Sequence, residues 1–170
     1  IGDHGHDEVV GIASQVKNPI IIANPGEAGS LRKMKRAGVV SQSTQTIENV
    51  QDIVNILMTN VFDLRFVNTI CFPTKRNQEQ IRALAKQCDI MIIIGSFTSA
   101  NSKRLTQLAL ERNKRSYQVT CAENLDSNWF EDVDIVGISA GASTPDKIIE
   151  AVTKKIKKIG LVTEKEVLHG

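Results

Sequence analysis

Ile90-Met91-Ile92-Ile93-Ile94 decides the fold class of this chain, because it is a strand-length run without a polar residue on either face. A strand that is apolar on both faces is typical of the centre of a parallel sheet that helices cover on both sides. Further short runs rich in β-branched residues are predicted strands, at residues 20–22, 38–40, 66–71, 117–120 and 135–139. Apolar residues at helical spacing lie between them, in residues 50–57, 81–88, 105–110 and 148–156. This alternation predicts an α/β protein with parallel sheets and flanking helices.

The composition excludes several classes of protein. The 170 residues carry a formal net charge of +2, and 4% of them are aromatic. Both values argue against a nucleic-acid partner, and the small charge also argues against binding to a membrane surface. No apolar run approaches the ~20 residues of a membrane span, and the sequence begins without a signal-peptide pattern. The three cysteines form no C-x-x-C pair, so we expect a cytoplasmic protein in a reducing compartment.

Small hydroxyl-bearing residues follow four of the predicted strands. Ligands of open α/β sheets bind at the carboxyl ends of the strands, so these loops form the candidate binding site. Ser99, Asn101 and Ser143 lie where helices are predicted to begin. Their side chains and the free N–H groups of the helix ends suit an anion such as a phosphate. The alternative is that they are ordinary helix caps and turn residues.

Cys71 ends a predicted apolar strand and precedes Lys75 and Arg76 at a predicted helix start. A helix start and nearby positive charge favour a thiolate, which acts as a nucleophile or a metal ligand. The alternative is a buried, small apolar residue, as free cysteines often are. Cys88 completes an apolar helical stripe and Cys121 follows a strand, so both are predicted to be structural.

His4, His6 and Glu8 form an H-x-H-x-E segment between glycines. A histidine there can bind an anion while a nearby carboxyl group donates a proton. A metal site would need a further ligand at suitable spacing, which does not follow. A solvated, charged loop is the simpler alternative, and a thiol enzyme using Cys71 with His6 is a further hypothesis.

These segments occur in an ordered series along the chain. The series is Gly5-His6-Asp7-Glu8-Val9, Val40-Ser41-Gln42-Ser43-Thr44, Thr69-Ile70-Cys71 with Thr74, Gly95-Ser96 with Ser99 and Asn101, and Ser139-Ala140-Gly141-Ala142-Ser143-Thr144-Pro145-Asp146. In this series the chain resembles the LytB family of 4-hydroxy-3-methylbut-2-enyl diphosphate reductases, from Gly5 to about Ile159.

The resemblance implies three pseudo-symmetric α/β lobes around a cavity, each giving one cysteine to a [4Fe–4S] cluster. It implies reductive dehydroxylation of the diphosphate substrate to isopentenyl and dimethylallyl diphosphate in the non-mevalonate isoprenoid pathway. The electrons would come from a donor of the ferredoxin or flavodoxin type. In these terms, residues 1–68 are an incomplete second lobe, residues 69–160 the third lobe and residues 161–170 a C-terminal tail.

Site residues are implied by the same resemblance. Glu8 matches the acid of the proton relay, and Ser43 stands where a threonine commonly positions the substrate hydroxyl. Cys71 matches the cluster ligand of the third lobe. The residues implied to bind the substrate or to flank its site are His6, Gln42, Thr44, Ser99, Asn101 and Ser143.

The family's first lobe has no counterpart in this sequence, and Cys88 and Cys121 do not fall on cluster-ligand positions. A single cysteine cannot hold a cluster that needs several thiolates. We therefore expect the C-terminal part of the reductase, inactive in isolation. The alternative is a naturally truncated α/β protein that binds a diphosphate without catalysis.

Overall fold

The computed structural model describes residues 1–159, which divide into two compact units. The first unit is Ile1–Lys75, and the second begins at Arg76. Each unit holds a parallel sheet with flanking helices, so the predicted α/β fold class is confirmed. The lobe bounds at residues 1–68 and 69–160 remain predictions. The predicted tail at residues 161–170, like Gly160, lies outside the described residues.

The first unit is built on two parallel strands, β1 (Met34–Val40) and β2 (Val61–Val67). Two short helices precede them, α1 (Asp7–Ala13) and α2 (Pro25–Gly29), and helix α3 (Ile47–Asn60) joins the strands. Pairing runs in register from Met34 opposite Val61 to Val40 opposite Val67. Both strands therefore end at the same edge, and the loops that follow them are neighbours.

Helix α3 forms because its sequence supplies both a cap and an apolar stripe. The Thr46 hydroxyl accepts a hydrogen bond from the Asn49 N–H and so pairs one of the free donors of the first turn. Val50, Ile53 and Leu57, spaced three and four residues apart, are buried. Full burial of each such side chain contributes about 1.5–3 kcal/mol, so this stripe anchors the helix to the sheet.

The second unit carries three parallel strands in the order β4-β3-β5, with β3 (Ile90–Ile94) between β4 (Ser116–Val119) and β5 (Val136–Ala140). Three helices alternate with these strands: α4 (Phe72–Ala85), which begins shortly before Arg76, α5 (Ala100–Leu110) and α6 (Asp146–Lys158). Two short 3-10 helices, Ala122–Asn124 and Ser127–Phe130, follow β4. Within residues 1–159, no helix combines the length and the apolar character needed to cross a bilayer.

Strand β3 has the predicted bounds, and all five of its residues are buried. Ile90, Ile92 and Ile94 join one apolar cluster, which includes Val152 and Ile156 of α6. Met91 and Ile93 point to the opposite face, into a cluster with side chains of α4 and α5. The prediction of a central strand covered by helices on both faces is confirmed.

Two predicted strands differ from the structure. Residues 20–22 form no strand, because in this segment only Ile22 is buried and its carbonyl oxygen accepts the Gly2 N–H outside any ladder. The strand predicted at residues 66–71 is β2, which starts at Val61 directly after α3 and ends at Val67. Cys88 lies beyond the end of α4 at Ala85, although its side chain still packs against the cluster beside β3.

Candidate functional site

In the first unit, the Glu8 carboxylate lies against the loop that follows β1. The Ser43 N–H donates to Glu8 Oε1 over 2.8 Å, and the Ser43 hydroxyl donates to Oε2 over 2.9 Å. One residue thus binds both carboxylate oxygens across 35 positions of sequence. Hydrogen bonds to a charged group are stronger than neutral ones, so this two-point contact fixes Glu8 and Ser43 relative to each other.

His6 is the N-cap residue of α1, the helix that contains Glu8, and its ring contacts the backbone of Glu8. Its Nδ1 accepts the Glu8 N–H over 3.3 Å. In neutral histidine the other nitrogen then carries the proton, so Nε2 is a hydrogen-bond donor. Such a donor suits an anionic ligand.

Gly5 directs the two histidines apart. Its φ of 74° lies in the left-handed region that favours glycine, within a turn closed by the bond from the His6 N–H to the Asp3 carbonyl. His4 turns to Glu27, with 2.9 Å between His4 Nε2 and Glu27 Oε2. A bond from the Ala23 N–H and this contact with His4 lower the pKa of Glu27. His4 therefore belongs to a structural contact with Glu27, separate from His6 and Glu8.

Cys71 is joined to the same loop. Its N–H donates to the Ser43 carbonyl oxygen over 3.1 Å, and its own carbonyl accepts the Lys75 N–H over 3.2 Å as α4 begins. Cys71 is exposed, so the alternative that it is a buried apolar residue is wrong. The Cys71 Sγ atom lies 2.7 Å from the hydroxyl oxygen of Thr74, Oγ1.

Gln42 and Thr44 flank Ser43, but their side chains bond to the protein. Gln42 is 1% exposed; its Oε1 accepts the Asp3 N–H over 2.8 Å, and its Nε2 donates to Thr44 Oγ1 over 2.8 Å. The nearby Gln45 side chain is buried and donates to Asp3 Oδ1. These contacts tie the loop before α1 to the loop after β1. Substrate contacts by Gln42 and Thr44 remain predictions, and the structure gives both a role in holding Ser43.

In the second unit, the loops after β3 and β5 meet at Ser102 of α5. The Ile94 carbonyl accepts both the Gly141 N–H over 2.9 Å and the Thr144 hydroxyl over 3.0 Å. A Cβ atom on Gly95 or on Gly141 would lie 2.2 or 2.4 Å from Ser102 Oγ. At Gly95 the new atom would also lie 2.9 Å from Ser102 Cβ, so glycine is required there for the N-terminus of α5 to approach the strand end.

Two of the three predicted anion-binding residues lie at that helix start. Ser99 caps α5, with its Oγ accepting the Ser102 N–H over 3.3 Å. Asn101 Oδ1 is buried and has no hydrogen-bond partner within the described residues. Turning the amide over would present its NH₂ group at the same point, so the side chain can accept or donate. Ser143 is exposed in the turn between Gly141 and Thr144.

An apolar groove of about 730 Å³ also lies on the first unit. Val9, Ile12 and Val39 are among the residues that line it, but Glu8 and Ser43 are not. The groove therefore adjoins the predicted catalytic residues, because Val9 and Gln42, their neighbours in the chain, line it.

A family model described as LytB protein matches residues 1–157. The chain belongs to the LytB family. Among curated proteins, it is 41% identical over 159 residues to the 4-hydroxy-3-methylbut-2-enyl diphosphate reductase of Geobacter sulfurreducens, covering 93% of this chain and 56% of that protein. It is 42% identical over 160 residues to the reductase of the same name from Geotalea uraniireducens, covering 94% of this chain and 57% of that protein. The LytB chain described here thus spans little more than half the length of these relatives.

Two solved structures of reductases are also similar to this chain. One is the structure of (E)-4-hydroxy-3-methyl-but-2-enyl diphosphate reductase, described as the terminal enzyme of the non-mevalonate pathway. It is 43% identical, with a TM-score of 0.53 over 73% of this chain and 44% of that one. The fold also matches the E-1-hydroxy-2-methyl-but-2-enyl-4-diphosphate reductase from Plasmodium falciparum, with a TM-score of 0.80 over 92% of this chain and 50% of that one, at 23% identity.

Sequence reasoning gave no role to several residues that build these sites. Gln45 and Asp3 support the Ser43 loop, and Ser102 sits between two glycines. Gly95 and Gly141 each follow a strand directly, and this position could have indicated that another segment packs closely against them. The sequence does not show that Ser102 is the residue that does so. The contact of Gln45 with Asp3 has no signal in the sequence, because the two residues are 42 positions apart.

Proposed function

We propose that this chain supplies the proton donor, diphosphate contacts and one cluster cysteine of a 4-hydroxy-3-methylbut-2-enyl diphosphate reductase of the non-mevalonate isoprenoid pathway. The observation that carries the proposal is a continuous line of hydrogen bonds within the first unit. His6 accepts from the Glu8 backbone, Ser43 donates twice to the Glu8 carboxylate, and the Ser43 carbonyl accepts from Cys71. An anion binder, an acid, a hydroxyl and a thiol thus stand side by side.

The proposed cofactor is a [4Fe–4S] cluster, and the first test is whether these residues fit one. Cys71 offers an exposed sulfur at a helix start, which suits a thiolate ligand to iron. Within residues 1–159 there is no group of three His, Cys, Asp or Glu side chains arranged to hold a metal. Cys71 therefore fits as one ligand, with the remaining thiolates coming from elsewhere in the assembled enzyme. A cluster bound there would pass electrons from a ferredoxin- or flavodoxin-type donor to the substrate.

Glu8 and Ser43 are suited to deliver a proton to a leaving hydroxyl. When Glu8 is ionised, the Ser43 hydroxyl donates to it, as the structure describes. When Glu8 is protonated, it can donate to Ser43 Oγ instead, and the Ser43 hydrogen becomes available to the substrate oxygen. The pair therefore relays one proton from a carboxyl group to the departing water.

The substrate diphosphate is assigned to neutral donors. The residues that the family resemblance implies for the diphosphate are His6, Ser99, Asn101 and Ser143, each of which carries a hydrogen-bond donor. The support for Asn101 is its buried Oδ1, which lacks a partner among residues 1–159 and so calls for one from a ligand. Gln42 and Thr44, which are hydrogen-bonded to each other, stabilise the loop that carries Ser43.

The test uses the complete enzyme, expressed from the full gene that encodes this chain. Cys71→Ser should lose the visible absorbance of the cluster together with reductase activity. Cys121→Ser is the matched control, because that thiol lies 3.5 Å from Asn124 Oδ1 and has no predicted ligand role. If Cys71→Ser keeps both the absorbance and the activity, Cys71 is not a cluster ligand.

A second candidate is an α/β protein that binds a diphosphate without catalysis. Ser99 and Asn101 at the start of α5 support it, because an anion can be bound there without a cluster. The two candidates differ in iron: the reductase, purified without oxygen from the full gene, should hold a cluster. A protein free of iron that still binds the substrate would support the second candidate.

A further inference from the structure

Thr74 lies in the first turn of α4 with its hydroxyl against the sulfur of Cys71. The Oγ1–Sγ distance is 2.7 Å, and Thr74 is 5% exposed, whereas Cys71 is exposed. A buried residue therefore brings a hydroxyl group to the sulfur of an exposed cysteine.

The donor in this contact follows from the protonation state of the cysteine. A thiolate has no hydrogen, so in that form only the Thr74 hydroxyl can donate. A thiolate bound to iron keeps lone pairs that accept such a bond. Hydrogen bonds to ligand sulfurs are among the features by which a protein sets the potential of an iron–sulfur cluster.

We propose that Thr74 is a positioning residue for Cys71, whose hydroxyl donates to the thiolate, orients it towards the cluster and raises the cluster's reduction potential. This inference rests on the proposed function, because it needs Cys71 to be a cluster ligand. Reduction adds negative charge to the cluster and its sulfurs. A donor at one sulfur stabilises the reduced form more than the oxidised form, and so raises the potential.

The backbone of Cys71 does not need Thr74 for its position. The Ser43 carbonyl and the Lys75 N–H already hold it on both sides. The Thr74 hydroxyl adds a contact to the sulfur itself, which separates its effect on the cluster from an effect on the loop.

The experiment compares two pairs of variants of the complete enzyme, loaded with its cluster, in an EPR-monitored redox titration. The first pair is the wild type and Thr74→Val, because valine has nearly the shape of threonine but lacks the hydroxyl. The second pair is Thr74→Ser and Thr74→Ala, which differ by the same hydroxyl on a smaller side chain. The hydroxyl-free member of each pair should show up to about a tenfold lower ratio of reduced to oxidised cluster at a fixed potential. That corresponds to a shift of up to about 59 mV to more negative values for one electron.

Thr153→Val is the matched control, because Thr153 Oγ1 is buried without a partner among the described residues. Its potential should equal that of the wild type. Equal potentials within both Thr74 pairs would overturn the role of Thr74 while leaving the cluster intact. If the wild-type enzyme itself binds no cluster, the proposed function fails and this inference fails with it. Should Thr74→Val not fold, the Ser and Ala variants decide the question alone.

Discussion

Replacing Glu8 by glutamine removes the charge and the acid at the centre of the first unit's site, and keeps the shape. The amide oxygen can still accept the Ser43 N–H, which lies 2.8 Å from Glu8 Oε1. The new NH₂ group meets the Ser43 hydroxyl, 2.9 Å from Oε2 in the wild type, and this hydroxyl can rotate to accept from it. The contacts therefore survive in number, and the substitution isolates the loss of the proton donor.

The expected magnitudes differ sharply between stability and turnover. Each charge-assisted bond becomes a neutral one, which costs about 1 kcal/mol at a half-buried position. General acid catalysis contributes about 10²–10⁴-fold to a rate, so turnover should fall by that factor. Substrate affinity should change little, because the diphosphate contacts are assigned to other residues.

The assay measures turnover and substrate binding of Glu8→Gln in the complete enzyme with a chemical reductant. Glu27→Gln is the matched control: the Glu27 carboxylate also accepts a backbone N–H, that of Ala23 over 2.8 Å, and contacts His4. It should lose a similar amount of stability and no turnover. Unchanged turnover in Glu8→Gln would remove Glu8 from the proton relay, and an equal loss in both variants would show that general destabilisation is responsible.

Two further predictions concern the second unit. Gly95→Ala should destabilise the protein by about 1–3 kcal/mol, because the new Cβ would lie 2.2 Å from Ser102 Oγ and 2.9 Å from Ser102 Cβ. In a double-mutant cycle measured by urea unfolding, Ser102→Gly should recover much of that loss; simple additivity would contradict the contact. Asp89→Asn tests the pH dependence of stability: the N–H groups of Ile135 and then Asp134 lower the pKa of Asp89 below its ordinary 3.8. Its contribution is present above that value and is lost as the pH falls through the lowered pKa. The variant should therefore be less stable near neutral pH, and the gap in stability should close as the pH falls through the lowered pKa of Asp89; a gap independent of pH would refute the charge effect.

The centre of the fold could be predicted because β3 is buried on both faces, and burial on both faces leaves an unbroken apolar run. Residues 20–22 are apolar for another reason: Ile22 fills the core of the first unit while Ile20 is 55% exposed. A run of three apolar residues does not distinguish these cases, since a strand also needs a neighbour with free backbone groups. That neighbour is set by tertiary structure.

The site divides in the same way. Cys71 and the loop that contains Ser43 could be singled out because they follow predicted strands, whereas the roles of Glu8 and Ser43 came from the family resemblance. The structure brings these three residues into one hydrogen-bonded line. The burial of Gln42 could not be predicted, because a polar residue after a strand usually indicates an exposed binding residue. Its partner Asp3 is 39 positions away, and only the folded chain reveals that the amide is satisfied internally.

Ser43 shows how such internal contacts bear on chemistry. The family resemblance implies a threonine at this position, whose methyl group restricts the rotation of its side chain. Here the carboxylate of Glu8 imposes the restriction from outside, since the backbone N–H and the hydroxyl of Ser43 bind its two oxygens together. The Ser43 carbonyl accepts the Cys71 N–H, so both the N–H and the carbonyl group of Ser43 are held by hydrogen bonds. A serine in this setting needs no methyl group to point its hydroxyl at Glu8. The same contact that orients the hydroxyl is the one through which the proposed proton transfer runs, so orientation and chemistry depend on a single pair of residues.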